Sequence, residues 1–210
     1  MRNDERAHAL IAERAAEELY RAARICPKNP RGATALARAV LGNRCFRIVP
    51  RDSIPKSALV WDRDQPVIQL SEGLSTRELN HCAAHELGEW HLRVHDYRGP
   101  EPEELARRIA ASICVPAKAF FAARAALGDN LGTLSQAFAV SQSLMALRFA
   151  ECLGAATALI TPTRVRTRGA PWAWPSTPEA WRELVTRAPT AGLHVLRLRD
   201  ARGRFVIRMR

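Results

Sequence analysis

Residues 81–95 read HCAAHELGEWHLRVH, and the rest of the chain is interpreted outward from them. A helix turns about 100° per residue, so His81, His85 and Glu89 stack along one strip at i, i+4 and i+8. Side chains at i and i+4 can share one metal ion, which is the basis of the H-E-x-x-H zinc motif. Here Glu89 stands where the second histidine would be. A carboxylate keeps ligand capacity, because its oxygens also bind zinc at about 2.0–2.2 Å. Glu86 lies about 100° further round the helix from His85, in the position of a general base, and Gly88 could let another backbone or a substrate come close.

The stretch belongs to a helix that begins after Ser75, a plausible N-cap, with Glu78 completing a capping box three residues on. Downstream, Pro102 opens and Pro116 closes another helix. On its helical wheel Glu103 edges the apolar face while Glu104 points to solvent, which makes Glu103 the better third ligand by geometry. A first-turn glutamate is also favoured by the helix dipole alone.

Upstream, an amphipathic helix over 4–25 is followed by a short one, ATALARAVLG, ending at Gly42. Short apolar pieces then follow, CFRIV, ALVW and PVIQL, and predict a small antiparallel sheet. Two further helical pieces, LGTLSQAFA and SQSLMALRFAECLG, meet near Val140 and Ser141, with Ser141 able to cap the second. After residue 160 the chain turns rich in Pro and Arg; Thr177 starts a short helix, and LHVLRLRD and RFVIRMR close as a β-hairpin. The fold class read from this order is α+β: a mostly helical core on a small sheet. Two domains are expected, 1–158 and a basic extension over 159–210.

At 210 residues the chain can bury a real core. Its net charge of +11 is uneven: residues 161–210 hold eleven Arg against three Asp or Glu, leaving +3 for the rest. Five cysteines, odd in number and more than fifteen residues apart, form no C-x-x-C pair and suit a reducing cytoplasm. No stretch approaches the roughly 18 apolar residues that a membrane span needs.

Four segments together resemble the IrrE/ImmA family of bacterial and phage metallopeptidases: PVIQL, AAHELGEWHL, EELARRIAASICVP and LGTLSQAFAVSQSLMALRF, in the family's order and over roughly residues 5–155. The resemblance implies a zincin-like core with helix-turn-helix-like helices behind it, over 131–153. It also implies His85 as a zinc ligand, Glu86 as the catalytic carboxylate and Glu103 as the downstream ligand. Glu89 departs from the family's usual histidine, and Arg107 and Ile109 from its usual Asn and Phe. A site of one histidine and two carboxylates is harder, so manganese competes better with zinc. His81 is a further ligand candidate, His91 a packing or supporting residue, and Tyr97 is close in sequence, with nothing to fix its position. Members of the family typically cleave or antagonise a helix-turn-helix repressor, so the implied function is a metal-dependent endopeptidase acting on a regulatory protein. The alternative is a protease-like regulator without activity that binds a repressor or DNA.

Packing, rather than base readout, is the expected role of Leu134, Phe138, Val140, Leu144, Met145 and Leu147. In the closing hairpin Arg197, Arg199, Arg208 and Arg210 alternate with Leu196, Leu198, Ile207 and Met209, which turns an arginine face outward. That face could meet nucleic-acid phosphates or an acidic partner, or simply be solvated. Trp172, Trp174 and Trp181 are expected to glue the tail to the main body.

Overall fold

The computed structural model describes residues 3–27, 32–154, 157–160, 165–168, 177, 180–181, 183, 193–197 and 205–209. It divides into two compact units, one of residues 8–128 and 138–140, the other of 1–7, 129–137 and 141–210.

The first unit holds the central helix. It contains most of α1 (Asn3–Ala22), then α2 (Ala33–Leu41), β1 (Phe46–Val49), β2 (Ser57–Asp62), β3 (Gln65–Ser71), α3 (Thr76–Val94), α4 (Pro102–Cys114) and α5 (Ala117–Leu127). The strands form a sheet in the order β1-β3-β2. β2 pairs antiparallel with β3 through a two-residue turn at Arg63 and Asp64, but β1 runs parallel to β3, with Phe46 beside Ile68. The sheet is therefore mixed, not antiparallel throughout as the sequence suggested. β3 is the most apolar strand, with Val67, Ile68 and Leu70 buried, and takes the centre. The chain reaches it from β1 only after laying down β2, a connection long enough to reverse direction and return parallel.

Helix limits follow the local chemistry. Ser75 caps α3 by accepting the Glu78 amide, and the Glu78 carboxylate returns to the Ser75 amide, a complete capping box. Pro102 sits in the first turn of α4. One side of α3 is apolar, with Ala83, Ala84 and Leu87 fully buried, and packs on α2, α4 and the sheet. Leu36, Leu105, Ile109 and Ile113 complete this core, each contributing roughly 1.5–3 kcal/mol by burial. α1 is tied to α4 by the Tyr20 hydroxyl, which donates to the Ile113 carbonyl at 2.7 Å.

The second unit contains α6 (Leu131–Ala137) and α7 (Gln142–Leu153) together with β4 (Thr157–Ile160), β5 (Val165–Arg168), β6 (Leu193–Arg197) and β7 (Phe205–Met209). Ser141 caps α7 by accepting the Leu144 amide at 3.2 Å. The expected hairpin is present as β6 and β7 and is half of a four-stranded antiparallel sheet, β5-β4-β7-β6. β4 and β5 were not foreseen. α7 packs against β4, β5 and β7. The Thr177 hydroxyl accepts the Ala180 amide at 3.3 Å, as expected of a cap, and Trp181 is fully buried. Trp172 and Trp174 lie outside the described residues. No single helix among the described residues is long and apolar enough to cross a membrane.

Candidate metal centre

Three side chains expected from the sequence come together at the α3–α4 junction. His85 Nε2 lies 3.4 Å from Glu89 Oε1 on the same helix and 3.6 Å from Glu103 Oε1 on α4. All three ligand atoms fall within 4.8 Å of one another. These spacings exceed an ordinary N–H···O hydrogen bond, whose length is about 2.7–3.2 Å. They approximate the separation of about 3.4 Å between two ligands placed 2.0–2.2 Å from one tetrahedral ion. One imidazole and two carboxylates therefore fit a divalent cation in both donor chemistry and spacing.

Gly88 makes this convergence sterically feasible. A Cβ at this position would meet the Ala106 carbonyl oxygen at 3.0 Å and Ile109 at 3.3 Å. Without one, α4 lies directly against α3, and Glu103 comes within reach of His85.

Electrostatics bind the group together. His85 has its pKa raised, first by the neighbouring Glu89 carboxylate, against an opposing effect of burial. Glu89 is held below the usual carboxylate range, first by His85, with Arg93 also contributing. Arg93 reaches Glu89 at 3.1 Å, and Arg107 reaches Glu103 at 2.7 Å. Arg93 was not singled out in the sequence, and Arg107 only as a departure from the family's usual Asn, although both stand four residues after their carboxylates, a spacing that signals such pairs.

Glu86 occupies a different environment. It is only 3% exposed, and burial is the main cause that raises its pKa. The Ser57 hydroxyl, from the start of β2, donates to Glu86 Oε1 at 2.6 Å. Ser57 had no signal in the sequence, because it arrives from a strand 29 residues earlier. Lys56, just before it, pairs with Glu78 at 2.7 Å.

Glu103 does come near His85, but the helical wheel of α4 misjudged the relative burial of Glu103 and Glu104. Glu103 is the more exposed, at 52% against 28% for Glu104. Arg108 is buried, and Glu104 turns inward to it at 3.4 Å. His81 is exposed and lies outside the three-residue group. The Tyr97 hydroxyl donates to the Pro100 carbonyl at 3.2 Å, within its own loop.

Leu134, Val140 and Met145 are buried as packing residues, and Phe138, Leu144 and Leu147 are partly so. Arg148, the basic residue of the would-be recognition helix, is also buried, 3.5 Å from Glu151. Arg197 and Arg208 lie on β6 and β7, whose side chains are outside the described residues; Arg199 and Arg210 are outside them entirely.

No family model matches the chain, and no curated protein matches it significantly. Among solved structures it is similar to a Mycobacterium tuberculosis transcriptional regulator, with 14% identity and a TM-score of 0.60 over 97% of this chain and 76% of that one. At this identity the likeness is one of fold, an α+β arrangement of helices with a small mixed sheet.

Proposed function

We propose that the chain is a metal-dependent endopeptidase that hydrolyses a peptide bond in a regulatory protein, such as a helix-turn-helix repressor. The observation that carries this reading is the convergence of His85, Glu89 and Glu103 beside the buried Glu86. His85, Glu89 and Glu103 would hold a zinc or manganese ion. Such an ion supplies Lewis acidity toward the scissile carbonyl and lowers the pKa of a water to about 7.

Glu86 then acts as general base and acid. Its raised pKa makes its carboxylate a better proton acceptor near neutrality than an ordinary glutamate. Ser57 fixes one of its oxygens, which limits the carboxylate's rotation. Glu86 takes the water proton and passes it to the leaving amine. β2 is an edge strand of its sheet and begins at Ser57, so an extended peptide can align along it through main-chain hydrogen bonds.

The test uses full-length protein loaded with zinc or manganese and a helix-turn-helix repressor encoded beside it, with cleavage read by mass spectrometry. Glu86→Gln should lower hydrolysis by about 10²- to 10⁴-fold while the bound metal is retained. Equal rates for the wild type and this variant, both metal-loaded, would exclude the reading.

A second reading is favoured by the two arginines. Arg93 and Arg107 neutralise Glu89 and Glu103, so this donor group can be held together by ion pairs alone. On that reading the chain regulates transcription without catalysis by binding a repressor or DNA; the name of its structural neighbour, a transcriptional regulator, is compatible with the regulatory part alone. Glu86→Gln would then leave the biological effect intact.

A further inference from the structure

A second group of donors lies on another side of α3. Glu18 on α1, His91 on α3 and His95 at its C-cap bring their ligand atoms within 4.8 Å of one another. His91 and His95 stand one turn apart, with ring centroids separated by 4.3 Å and tilted by 45°. His91 is buried, and its Nε2 reaches across to Glu18 Oε2 at 3.6 Å.

That separation, like those around His85, is longer than the hydrogen-bond range of about 2.7–3.2 Å. It again approximates the distance of about 3.4 Å between two ligands of one tetrahedral ion. Histidines at i and i+4 are suitably spaced to chelate from one helix, and Glu18 supplies a third ligand from another. The donor set also differs from the first. Two imidazoles and one carboxylate favour zinc, cobalt or nickel over manganese, since nitrogen donors suit those ions better.

We propose that Glu18, His91 and His95 form a second metal site, one that takes a borderline divalent cation such as zinc and clips the end of α1 to the end of α3. Its role is structural. Three ligands from two helices join segments more than 70 positions apart in the chain. The site does not depend on the chain being a peptidase.

The experiment titrates metal-free, full-length His85→Ala with zinc by calorimetry, so that the first group no longer contributes a complete ligand set. One zinc per chain is expected to bind, with a rise in melting temperature on the order of 5 °C at saturating zinc. Adding His95→Ala should abolish both, and adding Glu18→Gln should weaken binding by roughly tenfold. His95 and Glu18 are exposed, so neither change removes core packing, and circular dichroism verifies the fold. Identical zinc titrations of His85→Ala and His85→Ala/His95→Ala would overturn the proposal. Absence of zinc binding by folded His85→Ala would overturn it equally, and neither outcome bears on whether Glu86 hydrolyses peptides.

Discussion

Two sides of α3 each set an imidazole 3.6 Å from a carboxylate on a neighbouring helix, α4 beside His85 and α1 beside His91. The surroundings differ. Beside His85 stands Glu86, almost wholly buried and held by Ser57, next to an edge strand. Beside His91 stands a second imidazole, His95, and the ligand set draws the ends of two helices together. The difference teaches that a donor group does not make a catalytic centre by itself. On the proposed peptidase reading, a buried proton acceptor and a neighbouring edge strand distinguish the first side from the second.

Gly88→Ala tests this distinction most strongly. The added methyl would press on the Ala106 carbonyl and Ile109, forcing α4 away from α3. Overpacking of this kind costs about 1–3 kcal/mol, readable as a lower urea midpoint. Zinc affinity at the His85 group should fall, while binding by Glu18, His91 and His95 stays unchanged, because α4 supplies none of those ligands. Equal loss at both sites would break the comparison.

Glu89→His makes the two sides more alike, since each would then offer two imidazoles and one carboxylate. Zinc affinity at the His85 group should rise by roughly tenfold relative to manganese, measured by competition between the two ions. An unchanged preference would mean that Glu89 is not a ligand.

The smallest effect concerns the N-terminal anchor of α3. Lys56 and the Ser75 cap hold the Glu78 carboxyl down at about 2, well below its ordinary value, with Lys56 the larger cause. Because the folded value is depressed, the stabilisation is fully present above the unfolded pKa of about 4.3 and disappears as the pH falls through the folded value. Urea midpoints measured between pH 5 and pH 2 should therefore decline less steeply in Glu78→Gln than in the wild type. Parallel declines would remove Glu78 from the account.

Much of this was legible in the sequence because the signals are local. Ser75, Pro102 and Ser141 mark helix starts by chemistry confined to a few residues, and His85 and Glu89 meet through helical spacing alone. Glu103 was singled out because the wheel put it at the edge of the apolar face, although it is the more exposed of the two glutamates. The same wheel sent Glu104 to solvent, since it could not foresee a buried Arg108.

Long-range features left no comparable trace. Alternation within β1, β2 and β3 fixes faces but not direction, so the parallel pairing of β1 with β3 was not readable. β4 and β5 are four-residue strands, and β4 pairs with β7 nearly fifty positions away. Ser57 reaches Glu86 only after the sheet has docked on α3.

Lys56 and Ser57 are neighbours in the chain, yet they hold α3 at Glu78 and at Glu86, about 12 Å apart along its axis. A rod pinned once can still roll; pinned at two points by adjacent residues, it resists rolling. The angular position of every side chain on α3 is thereby referred to β2. On the proposed peptidase reading, a peptide lying along that strand's edge would be aligned to the same frame as Glu86, with no separate hinge needed to bring the two into register.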